Sequence, residues 1–312
     1  MRAEFTDQDT INTPLQQLNE SLSSARETKR RHIWFGAMCV VGLFAVLCDA
    51  KLYRPGDVFT ITENIQIAEA QSWWQGRLDL PERKWDSALF EGRVFSHFPP
   101  MFSFLAALVT PVFNGVPHWF IVLAIVLPIL FLAYALTRRF VNTAFWSTVL
   151  AIGLVCGTSA LPVLEKALRG GSPYAVNQAL ALIGLLIFLS EYFGRGRLWV
   201  AGVGVLIAAW SRQMSLAYLF PLAWMALGRP NCGATSSEVQ ALTLPGTNDP
   251  TGTRRIWSAR LGGFLLIAMV AIGVPLSLNW LKFGRPLESG YMYVYEGRDD
   301  DVFVRDARAH GL

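Results

Sequence analysis

Residues 198–228 read LWVAGVGVLIAAWSRQMSLAYLFPLAWMALG, apolar on both sides of a central Ser211-Arg212-Gln213. As one helix this stretch would be about 46 Å long at 1.5 Å per residue. That exceeds a single crossing of a hydrocarbon core of about 30 Å, while each half, at roughly 21 Å, falls short of one. The arrangement that satisfies both limits is a broken pair that enters a bilayer and returns, with its turn at Arg212. An arginine at mid-bilayer costs at least ~2.5–3.5 kcal/mol, so Arg212 belongs at a polar cavity or at the far surface.

Working outward, further apolar spans lie at 33–50, 118–137, 142–163, 176–193 and 260–281. The whole chain is 53% hydrophobic and only 16% charged, and its mean hydropathy is +0.35. Soluble domains run nearer a quarter charged, so the composition points to an integral membrane protein. Basic clusters at Arg26, Lys29, Arg30 and Arg31, at Arg138-Arg139, at Arg195 and Arg197, and at Arg229, Arg254, Arg255 and Arg260 flank these spans. By the excess of cations in cytoplasmic loops they share the cytoplasmic face, with the N-terminus inside. They do so only if 198–228 returns to its starting side and if 98–116, with Pro99, Pro100, Pro111 and Asn114-Gly115, is interfacial or re-entrant. The fold class expected is an all-α polytopic membrane protein of about 6–8 transmembrane or re-entrant helices with a long first outer loop at 51–97. Around the multi-pass body of 33–291 sit a basic-ended cytoplasmic tail (1–32), a flexible Ser/Thr/Gly/Pro-rich cytoplasmic loop (229–259) and a polar outer segment (292–312) that reads as the end of a partial chain. No internal repeat is visible.

Several classes of function drop out. The bases are scattered among apolar segments, which excludes a nucleic-acid patch. The polar first thirty residues are no signal peptide. Cys39, Cys48, Cys156 and Cys232 lack metal-like spacing and read as small hydrophobes rather than a disulfide framework. There is no phosphate-binding glycine loop, CxxC, HExxH or nucleophile elbow. No cofactor is implied, and the need for a divalent metal stays open.

The outer loop carries the residues suited to chemistry. Thr62-Glu-Asn-Ile-Gln-Ile-Ala-Glu-Ala-Gln-Ser-Trp-Trp-Gln-Gly76 predicts a short amphipathic helix at the membrane interface, N-capped by Thr62 and anchored by Trp73 and Trp74. Glu63 in its first turn is favoured by the helix dipole, which explains that acid without catalysis. Asp57 follows the turn residues Pro55-Gly56. His97 precedes Phe98-Pro99-Pro100, a rigid extended corner leading back toward the membrane. Lys84 and Arg93, the latter in the Glu91-Gly92-Arg93 turn, are suited to anchoring phosphate, either of a substrate or of a lipid headgroup.

The order of these pieces resembles the GT-C membrane glycosyltransferases, in particular the bacterial relatives of the protein mannosyltransferases and of the lipid A aminoarabinose transferases. The pieces are a span and an outer loop with an early acid, then Ser72-Trp-Trp-Gln-Gly-Arg-Leu78 and Glu91-Gly-Arg-Val-Phe-Ser-His-Phe-Pro-Pro-Met-Phe-Ser-Phe-Leu105. Ala209-Trp-Ser-Arg-Gln-Met214 and Asn279-Trp-Leu-Lys-Phe-Gly-Arg-Pro-Leu-Glu-Ser-Gly-Tyr291 follow.

The resemblance implies a polyprenyl-phosphate-linked sugar as donor and an envelope glycan, lipid or protein as acceptor, handled on the outer face of a bacterial inner membrane. It assigns the base to an acid early in the loop, Glu63 or Asp57. Thr62 stands where the family carries the first acid of a pair. Lys84, Arg93, Arg212 and, from the last motif, Arg285 become phosphate ligands, with His97 beside them. Two other readings stand alongside: a non-catalytic GT-C-like scaffold or lipid-binding subunit, and a transporter, which the helix broken at Arg212 would suit.

Overall fold

The computed structural model describes residues 9–49, 60–84, 86–169, 172–228 and 250–294, and these are mostly helical. The first helix, α1 (Asp9–Asp49), has an apolar part at Arg26–Leu47 long enough to cross a membrane. The same holds for α5 (His118–Phe140), α8 (Pro173–Tyr192) and the Ser258–Phe283 part of α11 (Pro250–Phe283). A bent pair, α6 (Ala144–Cys156) and α7 (Ala160–Leu168), turns by 63°. Counting that pair as one span gives five such spans among the described residues, by length and composition. The lipid-suited character is visible on the surface as well. Val40, Phe44, Leu265 and Met269 are exposed large hydrophobics on α1 and α11, a pattern soluble monomers avoid over so wide an area.

Helices α8 and α9 (Leu198–Ser211) form the centre of the bundle. Ser172 caps α8 by accepting from the Ala175 N–H, and Pro173 follows at the first helical position, where its missing N–H costs nothing. The two helices touch backbone to backbone at Gly184 and Gly204. A Cβ on Gly184 would lie 2.4 Å from the Gly204 carbonyl oxygen, and one on Gly204 2.6 Å from that of Gly184. Small residues of this kind allow close helix approach where no hydrophobic effect drives association.

The apolar stretch 198–228 is broken at Arg212, which is extended at φ −146°, ψ 115°. A short 3-10 helix (Gln213–Tyr218) and α10 (Leu219–Gly228) carry the chain back. At the far end of α10, Arg260 donates to the Met225 carbonyl at 2.9 Å. At that same end the Arg197 side chain pairs with Glu191, and the Arg139 guanidinium packs against Gly194. The cations of the three interhelical ends are thus gathered together, opposite the turn at Arg212.

That opposite end holds the small elements. β1 (Thr60–Ile61) pairs antiparallel with β4 (Val116–Pro117). β2 (Ser87–Phe90) and β3 (Arg93–Ser96) form a hairpin whose turn residues Glu91 and Gly92 both have positive φ, 50° and 74°, as a two-residue type I′ turn demands. Between them run α2 (Ile65–Trp74), α3 (Met101–Ala107) and α4 (Thr110–Phe113). The stretch 98–116 is therefore two short helices closed by a left-handed Asn114, with no helix long enough to cross. Cys39 and Cys156 are free, half-buried thiols, while the Cys48 side chain, Cys232, the 229–249 part of the connector and 295–312 lie outside the described residues.

Two expectations for the segment after β1 are corrected. The cap of α2 is Asn64, whose Oδ1 accepts from the Gln66 N–H at 2.8 Å, so Thr62 is no cap and Glu63 lies before the helix rather than in its first turn. Nor does α2 rest on a surface. Ile65 to Ala70 and Ser72 are all buried, because α3, α4 and β3 cover it on several sides. Trp74 is the exposed exception, and its indole N–H donates to the Ala107 carbonyl at 2.7 Å.

Candidate functional site

The burial of α2 brings two polar side chains, one helical turn apart, into the interior. Residues three apart share a helix face, and Gln66 and Glu69 are both fully buried. Glu69 Oε1 accepts from Lys282 Nζ at 2.5 Å, and its Oε2 accepts from the Ser103 hydroxyl at 2.5 Å. Lys282 also donates to the Ser96 carbonyl at 2.9 Å. Both ionic side chains are almost wholly withdrawn from solvent. A buried charge is tolerated only when it is paired and its remaining valences are hydrogen-bonded, and here each oxygen of Glu69 has a donor. The pair joins α2 to the last turn of α11. Phe90, Phe95, Phe283 and Tyr293 pack around the same joint, and Gly290, at φ 74°, turns tightly over the Phe283 ring, where a Cβ would lie 2.4 Å from Cζ.

Gln66 has different partners. Its amide donates to the Pro99 carbonyl at 2.9 Å and to Asn177 Oδ1 at 3.3 Å. Pro99 and Asn177 are part of the wall of a cavity of about 230 Å³. The corner His97-Phe98-Pro99 forms one side, Tyr174 and Asn177 of α8 the second, the break from Ser211 to Met214 the third, and Ser289 with Tyr291 the last. Three consecutive residues of the segment before Pro100 thus line one wall. His97 lies against Phe98 and meets the Tyr291 ring edge-on, with centroids 4.3 and 4.8 Å away. The Phe98 and Tyr174 rings also meet edge to face.

This wall contains buried polar atoms without partners among the described residues: His97 Nδ1 and Asn177 Nδ2, with Gln66 Oε1 behind them. Leaving such groups unpaired costs about 1–3 kcal/mol each, so their concentration beside one cavity makes it the candidate site. Burial lowers the pKa of His97 from 6.5 to about 4, and the nearby Lys282 charge acts in the same direction; hydrogen bonding at the Asp86 backbone opposes them. The ring is therefore neutral at pH 7. Arg212, half-buried in the break, is the cation of this wall.

A second depression, of about 620 Å³, lies across the hairpin and is lined by Arg77, Asp79, Glu91, Arg93, Trp280 and Lys282 among others. Arg77 Nη2 donates to Asp79 Oδ2 at 2.7 Å and holds that carboxyl below its usual range, with Arg93 adding a weaker pull. Lys282 lines this depression, while the carbonyl it binds belongs to Ser96, the neighbour of His97. The Glu69–Lys282 pair thus stands between the two concavities.

The residues singled out in the sequence divide among these places. His97 and Arg212 meet at the first cavity. Arg93 lies on the rim of the second, and Lys84 pairs with Glu82 at 2.5 Å away from both. Lys84 and Arg93 therefore do not share a site with Arg212. Arg285 is exposed in the turn after α11, where its carbonyl accepts from the Glu288 N–H. Glu63 is exposed two residues before α2, three positions ahead of Gln66. Asp57 lies outside the described residues. Sequence reasoning missed the pairing of Glu69 with Lys282, although both were in view: Glu69 inside the Thr62–Gly76 stretch, Lys282 inside the Asn279–Tyr291 motif. A lysine in the last turn of an otherwise apolar span was the available signal, since such a charge calls for a partner. It missed Gln66 and Asn177 as well, for which no pattern existed. Among the described residues no group of three His, Cys, Asp or Glu side chains is placed to hold a metal ion. No protein-family model, curated protein or solved structure matches the chain.

Proposed function

We propose that this chain is a GT-C-like membrane glycosyltransferase that takes a sugar from a polyprenyl-phosphate donor and passes it to an acceptor on the outer face of a bacterial inner membrane. Its body is one polytopic unit of about 6–8 transmembrane or re-entrant helices, with the polar segment after α1 as the long outer loop. The observation that carries this reading is the cavity where buried, unpaired polar atoms of His97 and Asn177 sit with Arg212, at the end of the bundle opposite its cluster of cationic loop ends. Cations concentrate on the cytoplasmic side, so the cavity belongs to the outer side, where a lipid-linked donor reaches it from the bilayer without a soluble nucleotide-binding domain.

The chemistry needs few groups. An acceptor hydroxyl attacks the anomeric carbon, the bond from that carbon to the donor phosphate oxygen breaks, and the hydroxyl proton passes to a carboxylate. The polyprenyl phosphate departs with the bonding pair, and a cation offsets the charge it gains. Arg212 is the residue for that cation, and Arg93 and Lys84 are left to the acceptor or to lipid headgroups, with Arg285 at the membrane surface. Glu63, exposed ahead of the helix that braces the cavity, is the base candidate together with Asp57. Glu69 is unsuited to the role, since Lys282 and Ser103 occupy both its oxygens.

One observation favours a second reading, a non-catalytic subunit that holds the lipid donor: Thr62 stands where a first acid is expected. Native mass spectrometry of the detergent-purified protein, followed by transfer assays with the sugar it retains, separates the two. Retained polyprenyl-phosphate sugar with transfer lost in Glu63→Gln or Asp57→Asn supports the enzyme. Retained donor with no turnover in the unaltered chain supports the subunit, and ordinary phospholipids alone refute both.

A further inference from the structure

The lining of the cavity carries information on the kind of sugar it would hold. What that lining implies rests on the transferase reading and deepens it. Asn177 is 2% exposed and His97 8%; both residues line the cavity, and each has a buried polar atom lacking any partner among the described residues. Asn177 Nδ2 is a donor. Its Oδ1 is already engaged by Gln66, which fixes the amide's orientation and leaves the N–H groups for a ligand. The neutral imidazole of His97 can donate or accept. Phe98, Tyr174 and Tyr291 supply ring surface, and their hydrogen-rich edges and faces suit the C–H faces of a saturated ring.

Charge is the second observation. Among the described residues the lining contains Arg212 and no carboxylate. The nearest described buried acid, Glu69, is committed to Lys282 and Ser103. An ammonium group placed in this cavity would face the Asn177 N–H donors and the Arg212 guanidinium, with no carboxylate among the described residues to replace its lost water. At about 230 Å³ the space also falls below the ~300–1,000 Å³ common for drug-sized ligands, which limits it to one small ring.

We propose that this cavity binds a single uncharged monosaccharide unit, read through its hydroxyls by Asn177 and His97, with Arg212 taking the attached phosphate, and that it discriminates against sugars bearing an amino group. A hydroxyl satisfies the waiting donor and acceptor, whereas an ammonium repels Arg212 and meets Asn177 donor to donor. Sites that hydrogen-bond a specific substrate group discriminate strongly when that group is changed, because their own buried partners are then left unpaired.

The test is a native mass spectrometry titration of the full chain with two short-chain prenyl-phosphate sugars, one carrying glucose and one glucosamine. The glucosyl lipid is expected to be retained at least ~10-fold more tightly, the scale of one lost or mismatched buried hydrogen bond. Asn177→Asp keeps the shape and the oxygen that faces Gln66 while adding a carboxylate, so it should bring the two lipids to parity or reverse their order. His97→Ala should weaken the glucosyl lipid without improving the other. Equal or tighter retention of the glucosamine lipid by the unaltered chain overturns the inference and leaves the transferase reading intact. So does an Asn177→Asp variant that keeps its fold, judged by an unchanged melting temperature, and also keeps the original preference. Retention of neither lipid overturns the transferase reading, and the inference with it.

Discussion

Removing the ammonium of Lys282 leaves Glu69 fully buried with one oxygen unpartnered. Its Oε2 keeps the Ser103 hydroxyl, but Oε1 loses its donor at 2.5 Å, and nothing aqueous replaces it at 0% exposure. Breaking a buried pair from one side costs about 3–5 kcal/mol. Lys282→Met preserves most of the volume and isolates that electrostatic effect. Large soluble domains lose about 2–4 °C of Tm per kcal/mol, so the single variant should melt on the order of 6–20 °C lower in detergent. Glu69→Gln alone should also destabilise, since it leaves the Lys282 ammonium with the Ser96 carbonyl as its remaining partner. In Glu69→Gln/Lys282→Met the charges vanish together, while the amide can still accept from Ser103. The double variant should recover much of the loss, a coupling of about 2–3 kcal/mol in a double-mutant cycle. Strictly additive losses in the three variants would refute the idea that the pair acts as a unit in a dry site.

Acid should weaken the fold through His97. Its folded pKa, about 4, lies below the ordinary 6.5, so the unfolded chain takes up the proton first. The contribution is full above pH 6.5 and is lost as pH falls toward 4, about 3 kcal/mol in all; melting curves at pH 7 and 4.5 should diverge less in His97→Gln. Arg212→Ala should cut transfer by roughly 10²-fold, with Arg212→Lys in between, measured by turnover of the retained donor. Gly204→Val drives a side chain toward the Gly184 carbonyl, which a Cβ alone approaches to 2.6 Å; overpacking of this kind costs about 1–3 kcal/mol, read as a lower melting temperature.

The parts of the molecule legible in its sequence are those governed by one-dimensional rules. Bilayer thickness and the position of Arg212 give the break between α9 and the 3-10 turn, and Glu91-Gly92-Arg93 gives a tight turn, though not the two strands that it joins. The loop helix was visible, but its surroundings were not. Ile65, Ala68 and Ser72 on one face suggested an interface, whereas Ile67, Ala70 and Glu69 turn out to be buried as well, because α3 and α4 fold back over it. That cover depends on the Pro99-Pro100 corner and on the Asn114-Gly115 turn, which set directions that periodicity does not encode. The same distinction applies to the site. His97 and Arg212 stand out as lone polar residues in apolar or rigid contexts. Gln66 and Asn177 gain meaning only from a contact between residues 111 positions apart.

The bond between Glu69 and Lys282 spans 213 positions, and this separation has a consequence in time. Chains emerge from the ribosome at about 5–20 residues per second, so the acid is synthesised roughly 10–40 s before the lysine that neutralises it. Throughout that interval, burying α2 would leave Glu69 without its cation, so the acid would be stranded as a carboxylate or would have to take up a proton. The polar end of the molecule is thus favoured to stay open until α11 has been threaded into the bilayer, and its closure then reports that α11 has arrived.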